Sequence, residues 1–271
     1  MTPGCIGVFD SGLGGLTVLR ALIDLLPEEE FVYFGDTGRF PYGPKPPEEV
    51  ARYSVEIADL LVEWGAKLLV VACNSATSAA LPLLRDRLDI PVVGVVRPGL
   101  LAAAQVTESG RVGVIGTVGT IASGAYQTEA ARLAEATGQH LDLTCAACPG
   151  FVEFVEAGDV ESDQVRVLAE RLLAPVVEAD VDTLVLGCTH YPLLARTIGE
   201  VMGRGVVLVS SAEETAFEVT RMLYPLGRPV PLGAPAKRRF VTSGDTETFF
   251  RLGARFLGPE VIDVEPWRWD A

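Results

Sequence analysis

Short runs rich in Val, Ile and Leu alternate with stretches of helical periodicity along most of the chain, and this rhythm constrains its architecture more than any other feature. The runs are Ile6 to Phe9, Phe31 to Phe34, Lys67 to Ala72, Val92 to Val96, Val112 to Ile115, Thr183 to Leu186, Val206 to Val209 and Arg239 to Thr242. Unbroken apolar strands of this kind suit a parallel sheet covered on both faces, because the crossovers of such a sheet are helices. Between Pro47 and Gly65 the residues Val50, Ile57, Leu60, Leu61 and Trp64 fall at helical spacing, with proline suited to the first turn and glycine to the stop. Val165, Leu168, Leu172 and Val176 mark a second helix, and Phe217, Met222 and Leu223 lie in a third. The expected class is α/β.

The rhythm is also written twice. Ile6-Gly7-Val8-Phe9-Asp10-Ser11-Gly12 resembles Val112-Gly113-Val114-Ile115-Gly116-Thr117-Val118, and Leu69-Val70-Val71-Ala72-Cys73-Asn74 resembles Leu184-Val185-Leu186-Gly187-Cys188-Thr189. The offsets, 106 and 115 residues, are close enough to suggest two related halves. The expected break is a strand ending in a turn at Arg97-Pro98-Gly99. The tail beyond residue 207 then returns to the first half, giving one domain from 1–97 plus 207–271 and another from 98–206. Two pseudo-symmetric, doubly wound domains, each with a mainly parallel sheet, would point their strand-end cysteines at each other across a cleft.

Composition narrows the partners. The chain has 271 residues, 49% of them hydrophobic, and a formal charge of −14. That acidity disfavours nucleic-acid backbones and anionic membrane surfaces. Every apolar run is cut by charge, proline or polar residues well short of the roughly 18 to 20 residues that span a bilayer. The N-terminal stretch lacks a basic region followed by a long apolar one, so a cytoplasmic protein is expected. There, Cys5, Cys73, Cys145, Cys148 and Cys188 do not describe a disulfide framework, and burial or thiol chemistry must account for them.

Cys73 and Cys188 each follow a strand and precede a helix-like run. Asn74 is expected to cap the helix after Cys73, with Thr189 or His190 capping the one that starts near Tyr191-Pro192. Ligands of open α/β sheets bind at the carboxyl ends of strands, and a helix N-terminus favours a thiolate. Two thiols on opposite faces of one carbon suit inversion: one removes a proton while the other supplies one. His190 is placed to relay a proton for Cys188, and Asp10 to do the same for Cys73. A small buried apolar role is the alternative for either cysteine alone.

The remaining motifs are weaker. Asp10-Ser11-Gly12-Leu13-Gly14-Gly15 fails the dinucleotide pattern because Thr17 stands at its last glycine, and it suits a small carboxylate better than a phosphate. Gly116-Thr117-Val118-Gly119-Thr120 offers amides and two hydroxyls. Cys145-Ala146-Ala147-Cys148 has neither a second such pair nor enough histidines for zinc, so no metal is expected. Asp36-Thr37-Gly38-Arg39-Phe40-Pro41-Tyr42-Gly43 is too distinctive for a filler turn.

Together these strings resemble the glutamate racemase family over nearly the full length: GVFDSGLGGLTVLR at 7–20, GDTGRFPYG at 35–43, ACNSAT at 72–77, GVIGTVGT at 113–120, CPGFVEFVE at 148–156 and GCTHYP at 187–192. The resemblance implies two α/β domains with the active site between them. It also implies a reaction without a cofactor that interconverts L- and D-glutamate for peptidoglycan synthesis, in a homodimer. Carried over, Cys73 is the base toward D-glutamate and Cys188 the base toward L-glutamate, assisted by Asp10 and His190. Asp10, Ser11, Tyr42, Gly43, Asn74, Ser75, Thr189 and His190 line the substrate site, with Thr117 and Thr120 nearby, and Glu153 matches an acidic position that assists proton transfer in some members. Ser75 stands where the commoner string has Thr, and Gly38 replaces a larger residue; neither change removes a reacting group.

Three rivals stand beside this reading. A racemase of aspartate or another small carbon acid would use the same chemistry. A binding module for a small anion would merely pack the two cysteines. A pyridoxal enzyme needs a lysine for its aldimine, and Lys45, Lys67 and Lys237 occupy no recognised site.

Overall fold

The structure is a computed structural model that describes residues 4–224 and 236–269. Its strands are β1 (Cys5–Asp10), β2 (Phe31–Gly35), β3 (Ala66–Val71), β4 (Val92–Gly94), β5 (Arg111–Gly116), β6 (Asp142–Ala147), β7 (Thr183–Gly187), β8 (Val207–Val209), β9 (Arg238–Thr242) and β10 (Val264–Pro266). They form two sheets, ordered β10-β9-β2-β1-β3-β4 and β6-β5-β7-β8. Every pairing in both is parallel. The chain divides into two compact units, with breaks after Val95 and after Ser211. Among the described residues, no helix is long and apolar enough to cross a membrane.

In the first unit the strand periodicity decides which side chain enters which core. Ile6, Val8, Leu68 and Val70 face one way, against Leu16, Leu19, Ala216, Val219 and Phe249 of three helices. Phe9, Phe34, Leu69 and Val71 face the other way, against Ile57, Leu61, Ala80 and Leu84. In the second unit Val112, Val114 and Val185 pack on Leu100, Ala103 and Tyr126. Helix Asp163–Glu178 buries Val165, Ala169, Leu173 and Val176, and Val176 lies against Gly113 on β5.

The two sheets repeat one order. β2-β1-β3-β4 and β6-β5-β7-β8 match strand for strand if β1 answers to β5 and β3 to β7, while β9 and β10 extend the first sheet beyond β2. In each, the chain leaves the central strand first to one side and then to the other, so a crevice opens beyond the carboxyl ends of β1 and β3, and again beyond those of β5 and β7.

Several local expectations change. Arg97-Pro98-Gly99 is not a turn: β4 ends at Gly94, and helix Val96–Val106 runs through all three residues. Pro98 is tolerated because it lies in the first turn, where no intrahelical N–H bond is needed. Phe217 and Met222 do sit in a helix, Ala212–Leu223, but on its outer face, 49% and 44% exposed, while Ala216, Val219 and Leu223 are buried. Strands β6 and β10 escaped the apolar-run criterion because both lie at sheet edges. An edge strand needs no continuous apolar run, and Asp142, Glu265 and Pro266 are exposed.

Candidate active site

The first half-site grows from the ends of β1 and β3. The β1–β3 register pairs Phe9 with Val71, and Ala72 N–H donates to Phe9 O at 2.9 Å, so the next residues along, Ser11 and Cys73, come side by side. The Cys73 thiol lies 3.7 Å from Ser11 Oγ and is 5% exposed. Cys73 itself, not Asn74, caps the helix Asn74–Arg87, its Sγ accepting from Ala76 N–H at 3.4 Å. The reason is positional: Asn74 already has helical placement, and Cys73 keeps the extended backbone that a cap needs (φ −86°, ψ 126°).

The expectation that the helix N-terminus would lower this thiol's pKa is reversed. Burial first, and then the neighbouring Asp10 carboxylate, push Cys73 up to about 12, against the opposing bonds from Ala76 and Ser11. A partial charge at a helix end cannot offset the loss of hydration in a site this dry.

Asp10 is fully buried and accepts Gly12 N–H at 2.8 Å, so one amide of the glycine-rich turn is already used on the protein's own carboxylate. Gly15 must be glycine here, because a Cβ would stand 2.6 Å from Asp10 Cβ and 3.0 Å from both Ala72 Cβ and the Tyr33 hydroxyl oxygen. Ser11, Asn74 and Ser75 are buried around the same strand ends, as are Tyr42 and Gly43 from the loop after β2. The Tyr42 hydroxyl donates to Asp36 Oδ2. Burial and that carboxylate hold the phenol above its ordinary pKa, so it remains a donor.

The second half-site repeats the arrangement. Gly116 pairs with Gly187 at the ends of β5 and β7, which brings Thr117 and Cys188 side by side as the next residues. Thr117 caps the short helix Val118–Ala122, its Oγ1 accepting Thr120 N–H at 3.2 Å and lying 3.0 Å from Thr120 Oγ1. Cys188 and Thr189 are buried, and a Cβ on Gly187 would meet Ile115 O at 2.6 Å. The turn after them is a four-residue 3₁₀ helix, Tyr191–Leu194, capped by His190, with Pro192 in its first turn.

His190 is 2% exposed and lies between two groups. Its Nδ1 is 4.0 Å from Cys188 Sγ, and its Nε2 is 2.7 Å from Glu156 Oε1. Glu156 was missed by the sequence, which offered Glu153 instead. Both lie on helix Phe151–Ala157, but the carboxylate that reaches His190 is one turn further on. With Glu156 accepting the Nε2 proton, Nδ1 is left as the basic nitrogen toward sulfur.

Of the other candidates, Cys148 lies near enough to Cys188 for that sulfur's charge to add to burial in raising its thiol pKa, and its carbonyl accepts from the Tyr191 hydroxyl at 3.1 Å. Cys145 lies on β6, where Gln127 Nε2 approaches its sulfur at 3.4 Å, and burial raises the thiols of both Cys145 and Cys148. Lys67 is paired with Glu29 at 2.5 Å and Lys45 with Glu49 at 3.3 Å. Among the described residues, no group of three or more His, Cys, Asp or Glu is placed to hold a metal ion.

Comparison with known proteins identifies the family and the fold. Residues 6–218 match the Asp/Glu/hydantoin racemase family. A glutamate racemase from Acidothermus cellulolyticus is 54% identical, the match covering 96% of this chain and 97% of that relative. The crystal structure of a glutamate racemase isoform from Bacillus anthracis superposes with a TM-score of 0.89 at 41% identity, covering 98% of this chain and 97% of that one. A glutamate racemase from Francisella tularensis in complex with D-glutamate gives 0.88 at 28% identity, with the same coverage.

Proposed function

The chain belongs to the glutamate racemases of the Asp/Glu/hydantoin racemase family, and from that premise we propose that Cys73 and Cys188 carry out a two-base inversion at the α-carbon of glutamate. The observation that carries the proposal is the repeated pairing at the two strand-switch points. Each has a buried cysteine beside a hydroxyl residue, Ser11 with Cys73 and Thr117 with Cys188, and each cysteine has its own acid–base neighbour.

For L-glutamate, the Cys188 sulfur takes the α-proton as a thiolate, and the Cys73 thiol gives its proton to the opposite face of the carbanion. The product is D-glutamate, with Cys188 now a thiol and Cys73 a thiolate. The reverse direction runs the same transfers backwards. The high pKa of Cys73 suits the donor role, since its proton stays on sulfur until a carbanion forms beside it. Between turnovers Cys188 passes its proton through His190 to solvent, and Cys73 takes one from solvent by way of the Asp10 carboxylate, so the proton lost on one side is balanced by the one gained on the other.

Binding falls to short-range donors, because the chain's net charge of −14 repels a dicarboxylate at long range. Ser11, Tyr42, Gly43, Asn74 and Ser75 offer hydroxyls, amides and a carboxamide near Cys73, and Thr117 and Thr189 offer hydroxyls near Cys188. We further infer a cytoplasmic homodimer that needs no cofactor and supplies D-glutamate for peptidoglycan synthesis.

The test is exchange of the α-proton in D₂O with each glutamate enantiomer. Wild type incorporates deuterium from both, and Cys73→Ala and Cys188→Ala each lose racemisation by at least the ~10² to 10⁴-fold that a positioned acid or base supplies. Full activity in either variant overturns the two-base assignment. Faster exchange of aspartate than of glutamate in the same assay overturns the substrate.

A further inference from the structure

We propose that Trp269 is a positioning residue for the substrate-binding segment around Tyr42 and Gly43, acting through the buried carboxylate of Asp36 and the guanidinium of Arg39. The proposal rests on the assignment of Tyr42 and Gly43 to substrate binding.

Asp36 follows β2 and is fully buried, so its carboxylate must be matched by donors to remain there. Those donors come from two directions. Oδ2 accepts from Arg39 Nε at 2.7 Å and from the Tyr42 hydroxyl, both on the loop itself. Oδ1 accepts from Ser243 Oγ at 2.6 Å and from Trp269 Nε1 at 3.1 Å, both from the far end of the sequence. One carboxylate therefore ties the loop to the segment that follows β9 and β10.

Trp269 holds the loop in a second way. The Arg39 guanidinium carbon lies 3.9 Å from the Trp269 ring centroid and 4.0 Å from that of Tyr53, so the cation is stacked between two aromatic faces. The outer end of Arg39 pairs with Glu56. Trp269 is itself fixed by packing on Phe34 and Trp267, at centroid distances of 5.5 and 6.0 Å. The tail is anchored by β10 and by Trp267 N–H donating to Thr242 O at 2.7 Å.

Cys73 follows β3 and Asp10 ends β1, where its backbone oxygen accepts from Asp36 N–H at 3.0 Å, a main-chain bond that loss of the Trp269 N–H leaves in place. Loosening the loop therefore weakens substrate binding and spares proton transfer, a rise in KM with kcat kept.

The decisive variant is Trp269→Phe, which keeps an aromatic face over Arg39 and removes the N–H. The expected result is a KM for glutamate raised about three- to tenfold, the worth of one net hydrogen bond, with kcat within twofold. Amide hydrogen exchange at residues 36–43 should quicken without substrate present. Trp269→Ala removes the stack as well and should raise KM further. Trp267→Phe is the control: the Trp267 indole nitrogen is buried without a hydrogen-bond partner among the described residues, so its loss should leave KM where it was.

Unchanged KM and unchanged exchange in Trp269→Phe overturn the proposal while leaving the racemase reading intact. Equal effects from Trp267→Phe and Trp269→Phe overturn it too, because the tail would then act as packing alone. If wild type fails to racemise glutamate, the functional reading falls, and the exchange measurement still decides whether Trp269 holds the loop.

Discussion

Glu156 Oε1 lies 2.7 Å from Nε2 of His190, on the side of the imidazole away from Cys188. A buried histidine has two nitrogens, and a carboxylate on one decides what the other can do. We predict that Glu156→Gln lowers kcat by about 10²-fold, the lower end of what a positioned acid–base group contributes, with KM little changed. The same change at Glu153 should cost less. An α-deuterated L-glutamate should show a larger primary isotope effect in Glu156→Gln than in wild type. A variant with normal kcat would remove Glu156 from the relay.

Asp10 and Cys73 make a second prediction, because the carboxylate is among the causes that keep the thiol protonated. Replacing Asp10 by Asn removes a negative charge, so the thiol pKa falls and more thiolate is present at any pH below it. Alkylation of Cys73 by iodoacetamide at pH 8.5, read by peptide mass spectrometry, should therefore be faster in Asp10→Asn than in wild type. Racemisation should drop at the same time, since the relay partner is gone. Slower alkylation in the variant would mean that Asp10 acts as the base that activates the thiol even in the free enzyme.

The parts of this site that a sequence exposes are those built from neighbours along the chain. Cys73 and Cys188 were legible because a strand, a cysteine and a helix start follow one another within a few residues, and the same order occurs twice. Which residue caps the helix was not, since Cys73 and Asn74 are both next to the strand end and only the backbone angles separate them. Pro98 signalled a turn, and the helix absorbed it because first-turn N–H groups have no intrahelical partner. Glu156 and Trp269 carry no local signal at all. Their partners lie 34 and 233 residues away, brought close only by the packing of the second unit and by the return of the tail to the first.

Asp182 makes a prediction about acid stability. Its carboxylate accepts from Thr107 Oγ1 at 2.6 Å, Glu108 N–H at 2.9 Å and Ser109 N–H at 2.6 Å, fastening the end of helix Val96–Val106 to the start of β7. Partial burial raises its pKa, but the Thr107 and Ser109 bonds outweigh it and hold the group well below the usual carboxylate range. A depressed pKa gives stability above the unfolded value of about 3.9 that is lost as pH falls toward the folded value. Asp182→Asn should therefore be less stable than wild type at pH 7, by about 1 kcal/mol for a partly exposed group. The gap should close below about pH 4 in urea titrations. A gap that is independent of pH would show that shape, not charge, makes the fastening.

The close approach of Gly15 to Asp10 gives the last prediction. The Gly15 backbone is ordinary for any residue (φ −61°, ψ −12°), so an alanine there is resisted by packing and not by torsion. Its Cβ would press on Asp10 Cβ, Ala72 Cβ and the Tyr33 hydroxyl, and the two strand ends that carry the first half-site would have to separate. Gly15→Ala should lose about 1 to 3 kcal/mol of unfolding free energy, as overpacked cores do. It should also lose kcat, because Asp10 moves relative to Cys73. Gly205→Ala, where a Cβ meets nothing within 4 Å, should change neither quantity. Stability lost without loss of kcat in Gly15→Ala would mean that the strain is relieved toward Tyr33 and that the Asp10–Cys73 geometry survives it.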